Sequence, residues 1–179
     1  MTDRRLISTL VTTAAVFIIA MPALGSIVLR MDLDDLVENS DTIVQGVVEA
    51  VYSQWDGERN LIFTYASIGV EDPLKGERRR SLLIRQLGGQ VGSLHMTVPG
   101  MPEFVAGSNV IVFLKDSGNG TFQVVGMNQG RYVIAEDFAV SSLTGIDLMD
   151  RKTGLVSGAS SIRKIGLEDF KASIRELVR

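Results

Sequence analysis

Hydrophobic spacing changes several times along the chain, and each change marks an element. Residues 6–20 (LISTLVTTAAVFIIA) are apolar or hydroxylated throughout and carry no charge. In residues 31–39 (MDLDDLVEN), Leu33, Leu36 and Val37 recur at helical spacing with acids between them, which predicts a short helix. Asp32, Asp34 and Asp35 fall in its first turn, where carboxylates suit the positive end of the helix dipole. Over residues 43–55 the period drops to two. Val44, Gly46, Val48, Ala50 and Tyr52 share one face, and Gln45, Glu49 and Ser53 the other. That is a long strand, which Gly46 allows to bend. After the turn pair Asp56-Gly57, residues 61–70 alternate again, with Ile62, Thr64, Ala66, Ile68 and Val70 on one side. Asp72-Pro73 is expected to end this strand.

Shorter runs follow. Strands are predicted over 82–87, 94–98, 122–125 and 131–135, and a hairpin over 146–156 turning at 150–154. Residues 110–114 (VIVFL) are apolar on both faces and read as a central, doubly buried strand. Gly118-Asn119-Gly120 reads as a tight turn, since both residue types accept positive φ; the overlapping Asn119-Gly120-Thr121 acceptor pattern for N-glycosylation is secondary to it. At the C-terminus Leu167, Phe170, Ile174, Leu177 and Val178 form one apolar stripe of an amphipathic helix. The fold class is therefore mainly β: a small OB-like barrel, closed or partly closed, with a short N-terminal helix and an amphipathic C-terminal helix. A β-sandwich is the alternative, because local periodicity does not encode closure.

The N-terminal apolar run has its own meaning. Arg4 and Arg5 precede it, Pro22 follows it, and Ala23-Leu24-Gly25 puts small residues three and one before Ser26. This layout is a secretory signal peptide over residues 1–25, leaving residues 26–179 as a single exported β-rich domain. The rival is an uncleaved anchor, since no charge occurs over the 24 residues from Leu6 to Leu29. Pro22, Gly25 and the hydroxyls of Ser8, Thr9, Thr12 and Thr13 weigh against it. Membrane association is expected only if the leader stays uncut. Otherwise the protein is periplasmic or secreted, with a bacterial envelope favoured by the lack of cysteine in an exported chain.

Composition removes many chemistries. The 179 residues include no Cys, which excludes disulfides, cysteine-ligated metals and a thiol nucleophile, and a single His, which excludes a multi-histidine metal site. There is no P-loop, no complete dinucleotide fingerprint and no nucleophile elbow, and no cofactor or metal is expected. A net charge of −3 and an aromatic content of 6% argue against nucleic acid, although OB-like barrels often bind single strands on aromatic platforms.

Three segments, SDTIVQGVVEAV (40–51), VEDPLKG (70–76) and FVAGSNVIVFL (104–114), resemble in their order the OB-like barrel of the netrin-like modules and the tissue inhibitors of metalloproteinases. There too a long first strand follows an acidic residue, a strand ends in a hydrophobic-Lys-Gly turn, and a glycine-led strand fills the core. Residues 85–104 (RQLGGQVGSLHMTVPGMPEF) also resemble uncharacterised exported bacterial proteins of the same layout. The resemblance implies a fold and a habit of protein binding. It implies no catalytic residue, and the inhibitors' zinc chelation through an N-terminal cysteine is impossible here.

Candidate binding residues gather around residues 88–107 (GGQVGSLHMTVPGMPEFVAG), which carry Gly88, Gly89, Gly92, Gly100, Gly107, Pro99 and Pro102. Met96, Met101 and Phe104 lie among them, and apolar residues on a glycine-rich loop suit recognition of a partner, methionine especially. Trp55, at a strand end beside Asp56-Gly57, is the type of residue that anchors interfaces. His95 is the starting point for any general base, with Ser93 two residues away on its expected face. The expectation is a non-enzymatic exported protein that engages another envelope or secreted protein, a protease being one candidate. The alternatives are a structural envelope component and, third, a hydrolase using His95. The acids Asp32, Asp34, Asp35 and Glu38 and the run Arg78-Arg79-Arg80 read as solvated surface.

Overall fold

The computed structural model describes residues 27–179, with the side chains of 144–146 and 159–161 excepted. The expected leader, residues 1–25, lies outside the described residues. The chain opens with β1 (Ile27–Leu29) and α1 (Leu33–Glu38). Two long strands, β2 (Thr42–Trp55) and β3 (Ile62–Lys75), then form an antiparallel meander with β4 (Ser81–Leu87). A small hairpin of β5 (Gly89–Val91) and β6 (Leu94–Met96) precedes β7 (Asn109–Asp116) and β8 (Phe122–Val124). A 3-10 turn, Met127–Gly130, leads to β9 (Arg131–Ala135), and the chain ends with β10 (Phe138–Met149), β11 (Val156–Gly166) and α2 (Leu167–Leu177).

Five of these strands close on themselves. β7 pairs antiparallel with β2 on one edge and with β8 on the other, and β8 meets β4 in parallel at Ile84↔Phe122. The cycle β2-β3-β4-β8-β7 is a closed barrel with OB-like connectivity, a three-strand meander sealed by the fourth and fifth strands in reversed order. The sandwich alternative does not form. Beyond the barrel the sheet continues from β7 through β9 to β10, which carries β11 on one edge and the short parallel β1 on the other.

β7 shows why the barrel needs a strand apolar on both faces. Val110, Val112 and Leu114 point into the barrel with Val44, Val48, Ala66, Ile68 and Ile84. Ile111 and Phe113 point outward into a second core with Leu36, Ile43, Tyr132, Phe170 and Ile174. In that layer the Tyr132 and Phe170 rings lie 4.5 Å apart and both tilt against Phe113, so the middle of the α2 stripe is consumed by packing while Leu177 and Val178 at its end stay exposed. Lys171 and Arg175 then fix α2 to β3, each 2.7 Å from the Asp72 carboxylate. Burial works against the charged form of Asp72, but these two cations outweigh it and hold its carboxyl below the ordinary value. At the other end of the chain α1 begins where expected, with Asp35 accepting a hydrogen bond from the Asp32 amide at 3.1 Å.

Three strand expectations change. First, β2 keeps one alternation only as far as Val48. A bulge at Glu49 separates the pairs Val48↔Ile68 and Ala50↔Ser67, after which Val51, Ser53 and Trp55 turn inward while Ala50 and Tyr52 turn out. Second, β3 runs through Pro73 to Lys75, because its pairing with β4 ends at Gly69↔Ser81 and the proline sits where one edge is free. Third, the hairpin turning at 150–154 extends far beyond 146–156, with Phe138 opposite Gly166 at its base. Gly46 has a stronger reason than bending: a Cβ there would run into the carbonyl oxygen of Gly69 on β3.

Candidate functional site

The 88–107 loop lies over the end of the barrel formed by the last residues of β2 and β4 and the first of β3, and polar groups of the barrel tie its backbone down. The Gly88 amide donates to the Ile62 carbonyl at 2.8 Å, and the Thr64 hydroxyl donates to the Gly88 carbonyl at 2.7 Å. With that proton committed, the Ser53 hydroxyl donates to Thr64 Oγ1 at 2.9 Å. Gly89 rests directly on this pair, at φ 134°, and a Cβ would strike both hydroxyl oxygens. Further along, Gln86 donates to the Pro102 carbonyl at 2.6 Å, the Asn128 amide to the Gly100 carbonyl at 2.9 Å, and the Gly107 amide to the Val48 carbonyl at 2.7 Å. The barrel and the Met127–Gly130 turn thus pin the loop's backbone at Gly88, Gly100, Pro102 and Gly107 and leave several of its side chains facing outward.

Those side chains divide by depth. Phe104 is 8% exposed and belongs to the barrel core, with Pro102 also buried. Met96 and Met101 are half-buried on the walls of a cleft of about 440 Å³. Leu94 at the start of β6 is 57% exposed and Val105 is 67% exposed, so both offer apolar surface next to the half-buried methionines. The Met101-Pro102 ridge separates the cleft from a second groove of about 140 Å³ on the outer face of β3 and β4.

His95, Met96, Met101 and Phe104 all line the main cleft, so the fold brings four of the five sequence candidates together. Trp55 stands apart. It ends β2 opposite Ile62, half-buried, on the strand face shared with the cleft residues Val51 and Ser53, but it is not among the lining residues. Ser93 does not share a strand face with His95; it sits in the turn joining β5 to β6. His95 itself is exposed opposite Gln90, and among the described residues no side chain is hydrogen-bonded to it.

The outer face of the meander carries a feature that strand periodicity did not single out. Tyr52, Tyr65 and Arg85 lie in one row across β2, β3 and β4, the two rings stacked at 5.2 Å and 8°, and Arg85 lies 3.6 Å from the centre of the Phe63 ring. Phe63 and Tyr65 could have been read as outward from the alternation of 61–70. Tyr52 could not, because only the Glu49 bulge turns it out.

The remaining charged candidates are surface groups. Arg79 pairs with Glu77 at 3.1 Å and covers the Phe122 ring, while Asp35 reaches Arg151 only at 3.9 Å. Asn119 accepts hydrogen bonds from the Thr121 amide and hydroxyl, closing the β7–β8 turn as expected. Among the described residues no group of three His, Asp or Glu side chains is placed to hold a metal ion, and no helix is long and apolar enough to cross a membrane. No family model matches the chain, and no curated protein matches it in sequence.

Proposed function

We propose that the chain is a non-enzymatic exported protein that binds another protein of the cell envelope or its surroundings through the 88–107 loop. The observation that carries this reading is the combination of a pinned backbone with uncovered apolar side chains. Val105 stands in solvent on a cleft walled by Met96 and Met101, and Leu94 stands in solvent on the neighbouring β6, on a loop whose backbone is pinned at Gly88, Gly100, Pro102 and Gly107. A preorganised surface of this kind loses little freedom when it binds. Met96 and Met101 add adaptable contacts, and Trp55 extends the surface along β2. A protease is one candidate partner, on the resemblance to the inhibitor barrels.

The test is capture by the immobilised full-length chain from the envelope and culture proteins of its host, with bound proteins identified by mass spectrometry. A stoichiometric partner should be retained by the native chain and lost on combining Leu94→Ser with Met101→Ala, while thermal melting stays within a few degrees. Retention that survives both substitutions overturns the assignment of the loop as the binding surface.

A further inference from the structure

The groove beside the Met101-Pro102 ridge holds an arginine that the fold leaves unanswered. Arg85 stands on the outer face of β4 with its guanidinium against the Phe63 ring, which fixes the plane of the fork without engaging its N–H groups. Its Nε is buried and has no hydrogen-bond partner, and among the described residues no carboxylate lies within ion-pair distance of it. By contrast, Lys171 and Arg175 share Asp72, and Lys115 is paired with Asp41. The protein itself covers Nε, so the groups left for a ligand are the two Nη amines, which make no hydrogen bond among the described residues.

The groove around Arg85 is walled by Phe63, Leu87, Met101, Pro102 and Val124 and encloses about 140 Å³, room for one side chain rather than a drug-sized ligand. Arg85, Gln86 and Leu87 of β4 line it where that strand has a free edge. On that side β4 pairs with β8 only at Ile84↔Phe122, so no strand accompanies the stretch from Arg85 to Leu87. An open strand edge accepts an extended segment, and pockets beside it select its side chains.

We propose that this groove receives an acidic side chain, Asp or Glu, presented by an extended segment of the protein partner, with Arg85 as its bidentate receptor. The inference rests on the binding role of the 88–107 loop, whose Met101-Pro102 ridge borders both depressions, and it names the chemistry of the partner. The planar fork matches a carboxylate, whereas the amide of Gln or Asn offers a single oxygen and no charge. A single-stranded nucleic acid presents phosphates to the same fork, but the net charge of −3 opposes a polyanion.

The probes are two peptides, acetyl-Val-Glu-Val-amide and its Gln counterpart, titrated into the isotope-labelled full-length chain while NMR follows the Arg85 Nε–H signal and the β4 amides. The Glu peptide should shift these signals saturably and bind at least about tenfold more tightly than the Gln peptide, with the preference abolished in Arg85→Gln. Equal affinities, shifts that leave the Arg85 signal unmoved, or displacement of the Glu peptide by a lower concentration of an eight-nucleotide oligothymidylate would each overturn the proposal. The capture experiment separates the two readings. A partner lost on changing Leu94 and Met101 but retained by Arg85→Gln leaves the loop's role standing and removes the acidic specificity. A Glu preference without any captured partner does the reverse.

Discussion

Two covers lie on this barrel, and they treat their apolar side chains in opposite ways. α2 inserts Phe170 and Ile174 completely, at 2% and 0% exposure, into a layer with Phe113 and Tyr132. The 88–107 loop inserts Phe104 and Pro102 but leaves Leu94 and Val105 in solvent and Met96 and Met101 halfway. A helix closes its own backbone hydrogen bonds, so α2 turns the middle of its stripe inward and leaves only Leu177 and Val178, at its end, partly in solvent. The loop cannot, and it borrows donors and acceptors from Gln86, Thr64, Ile62, Val48 and Asn128 instead. One cover is anchored by what it buries. The other is anchored through its backbone, which frees its side chains for contact with something else.

Substitutions can break the comparison from either side. Phe170→Ala should have the largest effect, a loss of about 3–5 kcal/mol of stability in urea unfolding, because the aromatic layer has no side chain to refill the space. A loss below about 1 kcal/mol would mean that α2 is held by its ion pairs. Gly89→Ala should come next, at about 1–3 kcal/mol, since φ 134° and the Ser53 and Thr64 hydroxyls both oppose a Cβ. It should also release the β5–β6 hairpin, seen as faster proteolysis within 88–107 while the α2 packing stays intact. Acid should produce the smallest change, and on the helical side. The carboxyl of Asp72 is lowered from its ordinary 3.8, so its contribution is complete above that value and is lost as the pH falls through the lower folded value. Urea midpoints measured between pH 6 and pH 3 should fall less steeply in Asp72→Asn than in the native chain.

The barrel was legible where side chains alternate against a single core, as in 61–70, and where both faces are apolar, as in 110–114. The amphipathic stripe of residues 167–178 likewise announced α2. Legibility failed at Glu49, because a bulge is decided by the partner strand and leaves no local mark; the same residue therefore misassigned Tyr52. It failed again along β10 and β11, where Ser141, Ser142, Ser157 and Gly158 carry little hydrophobic pattern and the ladder is held by backbone groups common to every residue. Of the candidate site, the loop could be read from its glycines, prolines and methionines. The second groove could not, since Arg85, Phe63 and Met101 are distant in sequence and meet only through the register of β3 with β4 and the return of the loop across the barrel end.

The closure at Ile84↔Phe122 has a dynamic consequence. A barrel whose circumference is completed by one residue pair between β4 and β8 should open first along that line, which faster amide exchange there than along β2 and β3 would check. The Arg85 groove straddles this line: Phe63, Arg85 and Leu87 form one lip, Gln123 and Val124 the other. A segment seated there would bridge both lips, and its binding free energy would be added to the work of opening the seam. Occupancy of the groove should therefore slow amide exchange along β4 and β8.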